Sequence, residues 1–217
     1  ALACEDDAIV ISGSATVSTN SIATCGTASV PTANESVVTE GVKGLQDIYK
    51  NLTPPINNTP QSVNCVKNGK GGNKATMATL NPGTYSGGIT VKCATVLNPG
   101  IYVIDGGELD LAGNYNVTGT RVMFILKNGA RMKFGGNGNG NQITLTPPQA
   151  ADFVGTPYES VKNDLQGMLV FEDRNNNPGN PGHQLNGNSQ SLIEGLIYLP
   201  SGEISVLGTA DVASQCL

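Results

Sequence analysis

Leu80-Asn81-Pro82-Gly83-Thr84-Tyr85 and Leu97-Asn98-Pro99-Gly100-Ile101-Tyr102 are two versions of one phrase set seventeen residues apart, each followed by a short strand pattern containing Gly-Gly. A unit this short cannot bury its apolar face alone and must stack on a copy of itself. Within each copy Pro fixes φ and the next Gly admits positive φ, so Asn-Pro-Gly marks a corner that leads into a strand whose Tyr is buried. Asn at such corners can stack into amide ladders.

The rest of the chain follows the same grammar. Ile9, Ile11, Ala15 and Val17 alternate with polar residues, as half-buried strands do. From Leu80 onward come short strands at Ile89 and Val91, Tyr102 and Ile104, Leu109 and Leu111, Val122 to Leu126, Met132 and Phe134, and Ile143 and Leu145. After an interruption at 147–166 they resume at Met168 to Phe171, Leu192 to Leu199 and Ile204 to Leu207. They lie too close together for helical crossovers and too irregularly for hairpins, which leaves parallel stacking. The expected fold is all-β: one right-handed parallel β-solenoid spanning 1–217. A helix-plus-loop insertion is expected at about 36–78, its helix over about 37–50, where Val37, Val38, Val42, Leu45 and Ile48 recur at helical spacing. The expected core contains Tyr85, Ile89, Tyr102, Ile104, Val122, Phe124, Leu126, Phe134, Leu145, Leu169, Phe171, Ile197 and Tyr198.

Only 13% of the 217 residues are charged, and the net charge is -5. Only Lys67, Lys70 and Lys74 cluster, among glycines, which reads as a solvated loop and not as a footprint for nucleic acid. No run of ~20 apolar residues offers a membrane span and no signal peptide is present, so Ala1 reads as the start of a mature or excised segment. Five cysteines without Cys-x-x-Cys spacing, and the single His183, do not make a zinc set. They point to disulfides and hence to an extracytoplasmic protein. Cys4 with Cys25 and Cys65 with Cys93 are the favoured pairs because each brackets one short segment, leaving Cys216 as the odd member.

The densest polar stretch is Glu172 to Gly179. Asp173, Asn175 and Asn177 alternate as Ca²⁺-loop oxygens do, but Pro178 stands where such a loop needs Gly, and no acid occupies its twelfth position. The competing reading is a structural loop in which Asp173 pairs with Arg174, and no firm metal or cofactor is expected. Glu172 with Asp173, or Asp105 with Glu108 and Asp110, are the only carboxylate groupings that could serve glycoside chemistry, and sequence neighbours on a strand point to opposite faces. His183, among Pro, Gly and Asn, reads as a surface residue. Thr144 and Thr146 could begin the flat Thr face of an ice-binding solenoid, but strands 89–91, 122–126 and 204–207 do not repeat the pattern.

The corner phrases resemble, together with Asn98 to Leu109, Val117-Thr118-Gly119-Thr120, Gly167 to Asn176 and Gly195 to Gly202, the C-terminal region of TadG-type proteins of the Tad (Flp) pilus-assembly system. Ile9 to Ala15 and Cys25-Gly26 fit the same pattern, so the likeness omits mainly 36–78. It implies a non-enzymatic, envelope-associated component of pilus assembly or surface attachment, usually tethered by an N-terminal transmembrane segment. Its partners would be other pilus or envelope proteins or a surface ligand. Bacterial ice-binding solenoids are more distantly similar. The alternatives are a glycan- or Ca²⁺-binding surface module, an ice-binding protein and a polysaccharide-active enzyme.

Overall fold

The computed structural model describes residues 6–12, 16–44, 46–67, 76–112, 115–135, 142–187, 191–208 and 211–213. These are mostly short strands, and nearly all of their pairings are parallel. Most fall into three rows, while Thr16–Ser18 with Asp211–Ala213 and Ile22–Ala23 with Val38–Thr39 form two further parallel pairs. Row one joins the first halves of Gly83–Thr90 and Gly100–Asp110 to Val122–Lys127, Met168–Glu172 and Leu196–Tyr198. Row two joins the second halves of the same two long strands to Arg131–Phe134, His183–Gly187, Ile204–Gly208, Ile9–Ile11 and Ala28–Ser29. Row three contains Val66–Lys67, Thr76–Leu80, Ala94–Leu97, Val117–Gly119, Ile143–Leu145 and Leu192–Ile193; only its first pairing is antiparallel.

Rows one and two are one curled sheet because Gly100–Asp110 bends in the middle. Gly107 at the bend has φ of 71°, and a Cβ there would sit 2.1 Å from the Gly87 carbonyl oxygen. The Gly-Gly of each repeat therefore serves both a left-handed backbone and a backbone-to-backbone approach that no side chain allows.

The other corner is the repeated phrase itself. Leu80 and Leu97 are register partners, and the Asn98 amide donates to the Asn81 side-chain oxygen at 2.8 Å, one step of an amide ladder. Each Tyr folds back on its own corner: the Tyr85 hydroxyl donates to Asn81 O at 2.7 Å and the Tyr102 hydroxyl to Asn98 O at 2.6 Å. A rung thus carries the partner for its own buried phenol, which removes the penalty for burying an unpaired hydroxyl.

Ten of the thirteen expected core residues are buried in the interior stack, whereas Phe171 and Tyr198 belong to a second, separate cluster. Tyr85, Tyr102, Phe124 and Phe134 lie between the rows, with Leu80, Leu97 and Leu145 opposite. Val103, Met123, Ile125, Phe171 and Tyr198 form a second cluster on the outer side of row one, under Phe153 and Leu165 of the 147–166 segment and under Tyr49 and Leu52. That is why Val122 to Leu126 and Met168 to Phe171 are unbroken apolar runs: both faces of these strands are covered. Ile197 is only partly buried.

No helix forms among the described residues of 37–50. A four-residue helix, Thr32–Glu35, precedes them, and Val38–Thr39 is a strand paired with Ile22–Ala23. Gly41 and Gly44 adopt φ of 64° and 79°, which breaks the helical register the apolar spacing suggested. Thr76–Leu80, placed largely in the expected insertion, is instead a rung of row three.

Burial pushes the Tyr85 phenol up to about 12, and burial with the neighbouring Tyr85 pushes Tyr102 further the same way. The folded state therefore holds these protons more tightly than the unfolded chain, whose phenols titrate near 10.0. Their contribution is complete below pH 10 and is lost as pH rises toward 12, about 2–3 kcal/mol for Tyr85. Urea midpoints measured from pH 8 to pH 12 should fall more steeply for the wild type than for a Tyr85→Phe, Tyr102→Phe variant. Parallel curves would show that the phenols are not buried in this way.

Candidate binding face

Among the described residues, neither a second layer nor a charged side chain covers the outer side of row three. Strand alternation sends Ala78, Leu80, Thr95, Leu97, Val117, Ile143 and Leu145 inward. It sends Thr79, Val96, Thr118, Thr144 and Leu192 outward as one line of register partners, with Met77 and Ala94 as the start of a second. Met77, Val96 and Leu192 are 40%, 39% and 51% exposed. Rungs in such a sheet repeat every ~4.8 Å, so the line is evenly spaced, and its residues are uncharged.

The Thr pair singled out from sequence divides here. Thr144 joins the line, whereas the Thr146 hydroxyl accepts the Arg121 N–H at 3.2 Å. The rung partner of Thr144 is Thr118, twenty-six residues earlier, with Thr79 two rungs beyond. The repetition was absent from 89–91, 122–126 and 204–207 because those strands belong to rows one and two. Spacing along the chain reveals such a line only after each strand has been assigned to its row.

Row two and its junction with row one carry the carboxylates considered for catalysis. Each faces a base on the next rung: Asp105 to Lys127 at 3.4 Å, Glu108 to Arg131 at 2.6 Å and Asp110 to Lys133 at 3.5 Å. All are partly solvated, so each pair contributes at most about 1 kcal/mol, and its main effect is to fix register.

Glu172 and His183 are both fully buried, correcting the surface reading of His183. The Met132 N–H donates to His183 Nδ1 at 3.0 Å, which leaves the imidazole proton on Nε2, 3.0 Å from Glu172 Oε1. Asn176 Nδ2 donates to the same oxygen at 2.8 Å and to Ala130 O at 2.7 Å, while the Ser201 N–H reaches Glu172 Oε2 at 2.9 Å. The network ties rows one and two together inside the stack. Its signal in the sequence was Glu172 at an inward strand position, but its partners come from the loop that follows it, from row two and from the next rung.

The neighbouring oxygen loop is arranged differently. Asp173 is half-buried and its Oδ1 accepts the Asn175 N–H at 2.8 Å, while Asn175 and Asn177 are exposed. Among the described residues no group of three or more His, Cys, Asp or Glu is arranged to hold a metal ion. Arg174 does not pair with Asp173; it reaches Asp47 and the Tyr198 hydroxyl. Burial works to raise the Asp47 pKa, but the Arg174 and Tyr198 hydrogen bonds and the Tyr49 N–H outweigh it and hold the carboxyl below its usual value. This cluster fastens the segment around 47–52 over row one.

Cys65 and Cys93 are joined, with Cα atoms 6.0 Å apart, as expected. Cys25 is also disulfide-bonded, while Cys4 and Cys216 lie outside the described residues. No helix among the described residues is long and apolar enough to cross a membrane. Comparison with protein-family models, curated proteins and solved structures finds no match to this chain.

Proposed function

We propose that the three rows close into a right-handed β-solenoid that serves, without catalysis, as an extracytoplasmic component of a Tad/Flp-type pilus or another attachment structure. The observation that carries this reading is the uncharged outer side of row three, beside one row that is covered and one that is charge-paired. Partly apolar surfaces of this kind are contact surfaces. The disulfides support an oxidising compartment. The pairing of Asp105, Glu108 and Asp110 each with a base, and the enclosure of Glu172, support the non-catalytic reading.

Beads coated with the chain should attach to cell and envelope surfaces through this face. Val96→Asp with Thr118→Asp should weaken attachment about tenfold, equivalent to 1.4 kcal/mol, because binding would desolvate both carboxylates. Lys133→Ala on row two should leave it unchanged. Equal effects of the two changes, with both proteins folded by circular dichroism, would remove row three from the role.

A second reading rests on Thr118 and Thr144 as rung partners with Thr79 on the same line: such spacing suits ordered water, and hence ice. A freezing hysteresis gap in the wild type that Thr118→Asp abolishes would put ice binding in place of attachment.

A further inference from the structure

Row two is parallel from end to end, and among the described residues each of its ends has an unpaired edge. Gly88–Thr90 pairs only with Glu108–Asp110, and Ala28–Ser29 pairs only with Ile9–Val10. Next to the first edge, Thr59 and Gln61 cover the Thr84 backbone, with bonds of 2.7 and 2.8 Å, and then leave it. The edge beyond opens on a groove of about 400 Å³ between Gln61–Val63 and Ser86–Lys92. Open edges of parallel sheets are templates for another strand.

The two ends are also opposite in charge. Residues 51–65 and 77–104, which supply the described outermost rungs at the groove end, contain one charged residue, Lys92. Residues 6–12 and 18–44, which supply those at the other end, contain four acids, Asp6, Asp7, Glu35 and Glu40, against one base, Lys43. Lys92 is exposed beside the groove, and Asp6, Asp7, Glu35 and Glu40 are exposed at the far end. Glu40 Oε1 also accepts the Ala28 N–H at 2.6 Å, which holds a carboxylate over the edge strand.

We infer that the partner of each end is the opposite end of a second copy of this chain, so that copies add head to tail. Because every strand in row two runs the same way, translating a copy along the stack sets its Ala28–Ser29 edge beside Gly88–Thr90 with the polarity already correct. Acid meets base in that arrangement, whereas joining two like ends brings like charges together. The contact is heterologous and does not close on itself, so it builds open chains of copies. Row three takes no part, and the inference is independent of the attachment role.

Sedimentation velocity on the full chain should show average mass rising with concentration at ~20 mM salt and falling at ~500 mM, where charges are screened. Lys92→Glu alone should weaken association about tenfold or more. So should Glu35→Lys with Glu40→Gln, in which Gln retains an acceptor for Ala28. An equimolar mixture of the two variants should recover association, since each supplies the end the other lacks. Circular dichroism confirms that each variant is folded. A wild type that stays monomeric at low salt, association indifferent to both variants, or a mixture that stays dissociated would each overturn head-to-tail addition.

Discussion

Glu172→Ala is expected to destabilise the protein by roughly 3–5 kcal/mol, because it removes the acceptor of two buried donors and one part-buried donor at once. The His183 Nε2–H, the Asn176 amide and the Ser201 N–H all converge on this carboxylate; His183 and Asn176 are buried, and Ser201 is part-buried. Glu172→Gln should recover little of the loss. A carboxamide presents an NH₂ group where an oxygen accepts, so at least one donor meets a donor. Urea denaturation followed by circular dichroism provides the measurement. A loss below about 1 kcal/mol for Glu172→Ala would mean that water reaches the site and that the network does not join the rows.

Phe124→Ala should cost roughly 3–5 kcal/mol and lower the thermal midpoint by about 10 °C. Phe124 is fully buried at the centre of an aromatic chain, with ring centroids 5.6 Å from Tyr102 and 6.0 Å from Phe134. It comes from a rung with strands on both sides, so the cavity cannot collapse without moving backbone. Val96→Ala on the open face should change stability by less than about 0.5 kcal/mol. Similar melting of the two variants would place the stack's interior elsewhere.

The legibility of the fold varied with how local its cause was. Leu80 and Leu97 became register partners because both repeats form the same corner, which the Asn-Pro-Gly phrase encodes within six residues. The burial of Tyr85 and Tyr102 was equally readable, since each hydroxyl finds its acceptor four residues back. The helix expected over 37–50 failed because apolar spacing alone ignores Gly41 and Gly44, and because Val38–Thr39 pairs with a strand sixteen residues away. His183 looked exposed among Pro, Gly and Asn, yet the fold presses it against Glu172 of the neighbouring row and Met132 of the preceding rung.

Periodicity, corner chemistry and the shortage of charge thus sufficed to dictate stacked parallel strands, most of the interior side chains and the Cys65–Cys93 link. Which outward side chains share a line was decided only in three dimensions. A rung's length varies with every loop it carries, so Thr79, Val96, Thr118 and Thr144 have no fixed interval along the chain. The same holds for the two ends of row two: Ile9–Ile11 reaches its place beside Ile204–Gly208 by returning across nearly the whole sequence, and no local pattern encodes a contact of that range.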